Sequence, residues 1–139
     1  MQASRSEIAV ALPGIEFPRL APEAVTHVTS QLVYDPQTGL LDAAASAAFG
    51  LWAGEPYVAP RSEAQLVVLR VGLTTSGEQE TTDISSFGVG GGRELAWADG
   101  DYVYQLFCRT GIGEATCFAI AESTAPLAVL TVIQSPSDT

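Results

Sequence analysis

The chain has 139 residues, 47% hydrophobic and 16% charged, and its 16 acidic residues against 6 basic ones give a formal charge of −10. That length supports one domain with a real core, and that composition is the opposite of a disordered chain. The basic residues are all arginine (Arg5, Arg19, Arg61, Arg70, Arg93, Arg109) and none are clustered, so counterion release from phosphate has no footing; no nucleic acid and no anionic membrane surface is expected as a partner.

Residues 1–25 read as an extended arm. Pro13, Pro18 and Pro22 each fix φ and remove an N–H donor, and Ile8, Val10 and Leu12 alternate as they would in a strand added to a sheet edge. Ile8, Val10, Leu12, Ile15 and Phe17 are therefore the candidate assembly contacts. The opening MQASRSEIAVALPG lacks the run of roughly 7–15 apolar residues of a secretory signal, and no apolar stretch approaches the ~18 residues of a membrane span. Synthesis in a cytoplasm, starting at Met1, is the expectation.

The β-branched stretch 26–34 reads as a strand, and Asp35, Pro36 and Gly39 supply turn chemistry after it. Over 40–53 two patterns compete. Leu41, Ala44, Ala45, Ala48, Phe49 and Trp52 share one helical face, while TGLLDA and FGLWAG suit two strands; the strands are favoured. QLVVLRVGL (65–73) is the clearest strand, apolar enough to be buried on both faces. The polar stretch 76–86 suggests a loop or an exposed edge strand, 93–98 a short strand, and 98–101 a tight Asp-Gly turn.

Residues 101–122 read as a β-hairpin turning at Gly111–Glu114, which would set Cys108 opposite Cys117 and Phe107 opposite Phe118. Facing Cα atoms about 4.5–5.5 Å apart would allow a disulfide, although a reduced pair is the default for a protein made in a cytoplasm. After Pro126, residues 127–134 suggest a last strand. The expected fold is mainly β: a single-domain β-sandwich or barrel-like unit over 26–139, preceded by the arm, with at most one short helix.

Chemistry is sought in FGVGGGRELAW (87–97). A dinucleotide fingerprint needs glycine where Arg93 stands, a P-loop needs a lysine the chain lacks, and the following RELAW is strand-like where a helix is required. The glycines therefore read as backbone freedom in a connection, with Phe87 and Arg93 at a subunit contact or an exposed tip. His27 is the one histidine and has no nucleophile motif beside it. Two cysteines and one histidine do not make a zinc set, and Asp99-Gly100-Asp101 is turn chemistry rather than a calcium loop. Trp52, Trp97, Tyr57, Tyr102 and Tyr104 could face a sugar, but at strand spacing they suit a core better. No catalytic, cofactor or metal-binding residue is assigned.

Residues 30–75 resemble the small head-decoration (cement) proteins of tailed bacteriophages, the lambda type. The resemblance lies in a strand, an Asp-containing turn with an apolar return (Asp35, Thr38, Gly39, Leu40, Leu41), an Ala-rich link and a second strand (Gly50, Leu51, Trp52, Ala53). A final apolar strand closes on Val71-Gly72. It implies a non-enzymatic protein on the exterior of a virion head, made in the host cytoplasm, a trimer bound to the major capsid protein and reaching it through the arm. The added region 76–139 departs from the simplest members of that family. An Ig-like or lectin-like β-sandwich that binds carbohydrate or protein is the alternative.

Overall fold

The computed structural model describes residues 3–41, 46–53, 65–73, 83–125 and 131–132. The elements are α1 (Arg5–Ala11), β1 (Leu20–Ala21), β2 (His27–Leu32), β3 (Ala47–Trp52), β4 (Gln65–Leu73), β5 (Ser85–Val89), β6 (Gly92–Asp99), β7 (Tyr102–Arg109), α2 (Glu114–Glu122) and β8 (Thr131–Val132). The protein is mainly β, with one six-stranded antiparallel sheet in the order β2-β3-β4-β7-β6-β5 and a short parallel pair, β1-β8. Among the described residues the large sheet is open, with β2 and β5 as its two end strands.

Strand alternation decides which face becomes the core. Along β7, Tyr102, Tyr104, Leu106 and Cys108 are buried while Val103, Gln105, Phe107 and Arg109 are not. The register continues this face into β4 through Leu69 and Val71, into β3 through Phe49, and into β6 through Leu95 and Trp97. Ile8, Leu12, Ile15 and Phe17 from the N-terminal segment, and Cys117 and Ile120 from α2, complete the same cluster. Phe17 meets Phe49 edge to face at 6.0 Å, and Trp97 stacks on Tyr104 at 5.3 Å. On the opposite face Trp52 lies over Gly50, where a Cβ would collide with the indole, and donates from Nε1 to Thr29 Oγ1 at 2.8 Å.

Three expectations need correction. Residues 5–11 form a helix where an extended arm was expected, because Ser4 and Glu7 make a reciprocal capping box that satisfies orphan N–H groups. The apparent strand alternation is instead a helical pair: Ile8 and Leu12, four residues apart, point inward, and Val10 between them is 82% exposed. Residues 114–122 are a second helix where the return strand of a hairpin was expected, so the limit of one helix fails as well. Gly113 starts it, and Cys117, Ile120 and Ala121 bury one face at helical spacing. Over 47–52 the preferred strand is present. Of the expected last strand only 131–132 lie within the described residues, and 76–82 lie outside them.

Candidate functional site

The glycine-rich stretch builds a β-hairpin at the end of the sheet. β5 pairs with β6 from Ser85 opposite Ala96 to Val89 opposite Gly92, and Gly90 and Gly91 make the turn. Gly91 has φ of 85°, which favours glycine, and a side chain at Gly92 would strike the Cys108 carbonyl oxygen. The run is thus spent on a turn and a close approach, in place of the loose connection expected.

The hairpin is clamped from the core side. Arg93 Nη1 donates to Ser86 Oγ at 2.8 Å and lies 3.2 Å from Glu114 Oε2, so one guanidinium ties β5 and β6 to the start of α2. Arg93 and Glu114, with Cys108, Arg109, Thr110 and Ile112, line an open depression of about 250 Å³. The disulfide joins Cys108 of β7 to Cys117 of α2 with both residues buried. The bond runs from strand to helix rather than across a hairpin, and it fixes α2 against the sheet beside this clamp.

The other face of the hairpin carries Phe87 and Val89, 45% and 37% exposed and two residues apart on one strand. Main-chain directions along β5 follow from the next strand pair. The Thr110 N–H donates to the Gly91 carbonyl at 2.8 Å, so Gly92 and Arg109 do not bond each other and the amide groups of Gly92 turn toward β5. Val89, Phe87 and Ser85 therefore bond inward to β6, whereas Ser86 and Gly88 direct their N–H and C=O groups outward. Among the described residues, no segment pairs with that edge.

The five contacts expected in the arm lie elsewhere. Ile8, Leu12, Ile15 and Phe17 are in this domain's own core, and only Val10 faces outward. His27 is exposed on β2, its Nδ1 at 2.8 Å from Thr26 Oγ1. Trp52, Trp97, Tyr102 and Tyr104 are buried, and Tyr57 lies outside the described residues. Phe87 and Arg93 were legible as a contact or tip, but the outward backbone of Ser86 and Gly88 was not, because it depends on the register of two neighbouring strands.

One titratable group stands out at the far end of β6 and β7. Burial, then the nearby charge of Asp99, pushes the Glu16 carboxyl above its ordinary range, against a weak hydrogen bond from Thr124 at 3.3 Å. The Tyr104 hydroxyl accepts from the Glu16 N–H at 3.1 Å, and burial drives its pKa far upward. Tyr102 donates to the Pro13 carbonyl at 2.7 Å. These bonds fasten the N-terminal segment to the sheet. Among the described residues, no group of three or more His, Cys, Asp or Glu could hold a metal ion.

No protein-family model matches the chain, and no curated protein or solved structure matches it.

Proposed function

We propose that this chain is a non-enzymatic structural protein, a head-decoration (cement) protein that stabilises a capsid from outside as a homo-oligomer contacting the major capsid protein. The observation that carries the assembly reading is the edge of β5, which no described residue covers, with its outward main-chain groups and the exposed Phe87 and Val89. An edge of this kind is a template for another chain, and proteins that act alone usually blunt it with charge, proline or cover. The capsid reading rests on the resemblance of residues 30–75. The Tyr34–Leu41 bridge across the Asp35 turn and the antiparallel strands β3 and β4 lie in the order that resemblance implies.

Charge and redox state are compatible with this role. A chain of net charge −10 suits the outside of a head, away from packaged nucleic acid. A buried Cys108–Cys117 bridge suits a protein that persists outside a reducing cytoplasm. Of the aromatic residues weighed for a sugar-binding face, Trp52, Trp97, Tyr102 and Tyr104 are in the interior, which favours the structural reading over that alternative.

The test is compositional. Particles purified on a density gradient from cells carrying the gene should contain this chain in fixed proportion to the major capsid protein. A chain that stays in the soluble fraction while particles form without it contradicts the proposal.

A further inference from the structure

We propose that the Cys108–Cys117 bridge is a redox latch: when it is reduced, α2 and the strip of residues 17–21 open as one local unit while the six-stranded sheet stays folded. This goes beyond the capsid reading and does not rest on it.

α2 has little hold of its own. Its 9 residues fall short of the roughly 12–15 that an isolated helix needs. Gly113 at its N-cap has no side chain to accept an orphan N–H, and Glu122 puts negative charge at the end where the macrodipole disfavours it. The Arg93–Glu114 pair at its start is 37% and 58% exposed at the side chains, so solvent screens it. Its attachment rests on Cys117, Ile120 and Ala121 buried along one face, and on the bridge. Cys108 does not need that bridge in return. It sits in β7 between Val67 of β4 and Arg93 of β6, and these ladders hold it without α2.

The strip depends on α2. Ser123, the C-cap of α2, is buried, and its Oγ accepts the Arg19 N–H at 2.9 Å and the Leu20 N–H at 3.2 Å. Its carbonyl accepts Arg19 Nε at 2.9 Å, and Phe17 and Ala125 exchange both main-chain bonds at 2.9 Å. β1 pairs with β8 and not with the large sheet. Upstream the partners change. Ala3 bonds Ser30 of β2, while Tyr102 and Tyr104 of β7 hold the Pro13 carbonyl and the Glu16 N–H. The N-terminal segment is thus fastened to the sheet as far as Glu16 and to the exit of α2 beyond it. Opening also parts the Phe17 ring from Phe49, so the open form stays a minor state whose population the bridge controls.

Reduction is a thiol exchange. A thiolate of a small dithiol attacks one bridge sulfur to give a mixed disulfide, and its second thiol then displaces the protein sulfur. Cys108 and Cys117 end as thiols, having gained two electrons and two protons, and the dithiol ends as a disulfide. Both cysteines are buried, so the attack requires the same opening that the bridge restrains. A reducing cytoplasm keeps the latch open, and an oxidising compartment closes it.

Trypsin reads the latch, because the chain has no lysine and its arginines sample both layers. The Arg19–Leu20 peptide lies in the strip with its own N–H bonded to Ser123, whereas Arg70 and Arg93 lie in β4 and β6. Wild type is reduced with dithiothreitol, which is removed under nitrogen before trypsin is added. Cleavage after Arg19 should then run about tenfold or more faster than in the oxidised protein, and well ahead of cleavage after Arg70. It should rise only weakly with urea, while cleavage after Arg70 rises steeply, since the first needs a local opening and the second a global one. Ser123→Ala should speed the Arg19 cut in the oxidised protein by removing the acceptor of both strip amides. Four results would each overturn the proposal. They are a bridge that dithiothreitol cannot reduce without denaturant, an Arg19 cut unchanged by reduction, an Arg19 cut unchanged by Ser123→Ala, or the same rate and urea dependence at Arg19 and Arg70.

Discussion

β2 and β5 end the same sheet, but among the described residues only β2 is covered. Along β2 the Ala3 N–H donates to the Ser30 carbonyl at 3.1 Å, Ser30 Oγ donates back to the Ala3 carbonyl, and α1 lies beside the strand. Ala3, Ser4 and Glu7 face Val28, Thr29 and Ser30 across a depression of about 330 Å³. Along β5 no described residue plays Ala3's part, and the strand exposes Phe87 and Val89. The N-terminal segment makes the difference: its capping box sets α1, and its buried residues hold α1 against the sheet. A sequence that provides cover for one edge and no charge for the other leaves the second edge able to pair.

If burial holds the covered side, its anchor should be costly to lose. Phe17→Ala should destabilise by about 3–5 kcal/mol in denaturant unfolding, while Phe87→Ala should cost under about 1 kcal/mol when measured on dilute monomer. Similar losses at the two positions would erase the contrast. Replacing Cys108 and Cys117 together by alanine should cost about 2–4 kcal/mol. A reducing agent acting on wild type should reproduce much of that loss once the buried bond is reached.

Smaller effects probe the cover itself. Ser4→Ala removes the N-cap acceptor for the Glu7 N–H, which should lower stability by about 0.5–2 kcal/mol and speed hydrogen exchange at the Ala3 amide more than in β5. Glu16 gives a pH test of how tightly the N-terminal segment is fastened. Its folded pKa is raised, so the folded state disfavours the charged carboxylate; its stabilising effect is full below the ordinary glutamate range and is lost as pH rises through the folded value. Glu16→Gln should therefore raise the melting temperature at pH 7 and leave it nearly unchanged near pH 4, as thermal unfolding at the two values would show. An equal gain at both would point to a cause other than ionisation.

The sheet was legible where the pattern was long and local. β4 announced itself by its apolar run, the Asp99–Asp101 turn by its glycine, and the burial of Trp97 and Tyr104 by strand spacing. Both helices were missed although each carried a signal. Ser4 and Glu7 have capping-box spacing, but three downstream prolines and the alternation of Ile8, Val10 and Leu12 outweighed it. Cys117, Ile120 and Ala121 have helical spacing, but the two cysteines suggested strands facing each other. The disulfide was within view of the sequence; its partner elements were not, since a strand-to-helix bridge depends on where α2 packs. The open edge of β5 is a property of sheet order, set by the return of β7 to β4, and no local pattern reports it.

Hydrogen exchange of individual amides at two protein concentrations tests the central contrast most directly. The Ser86 and Gly88 amides should exchange rapidly in dilute protein and become protected as concentration rises, while the Ala3 amide stays the same at both. Protection of Ser86 and Gly88 that is already complete in the dilute monomer would mean that the chain covers this edge itself, and the account would be wrong.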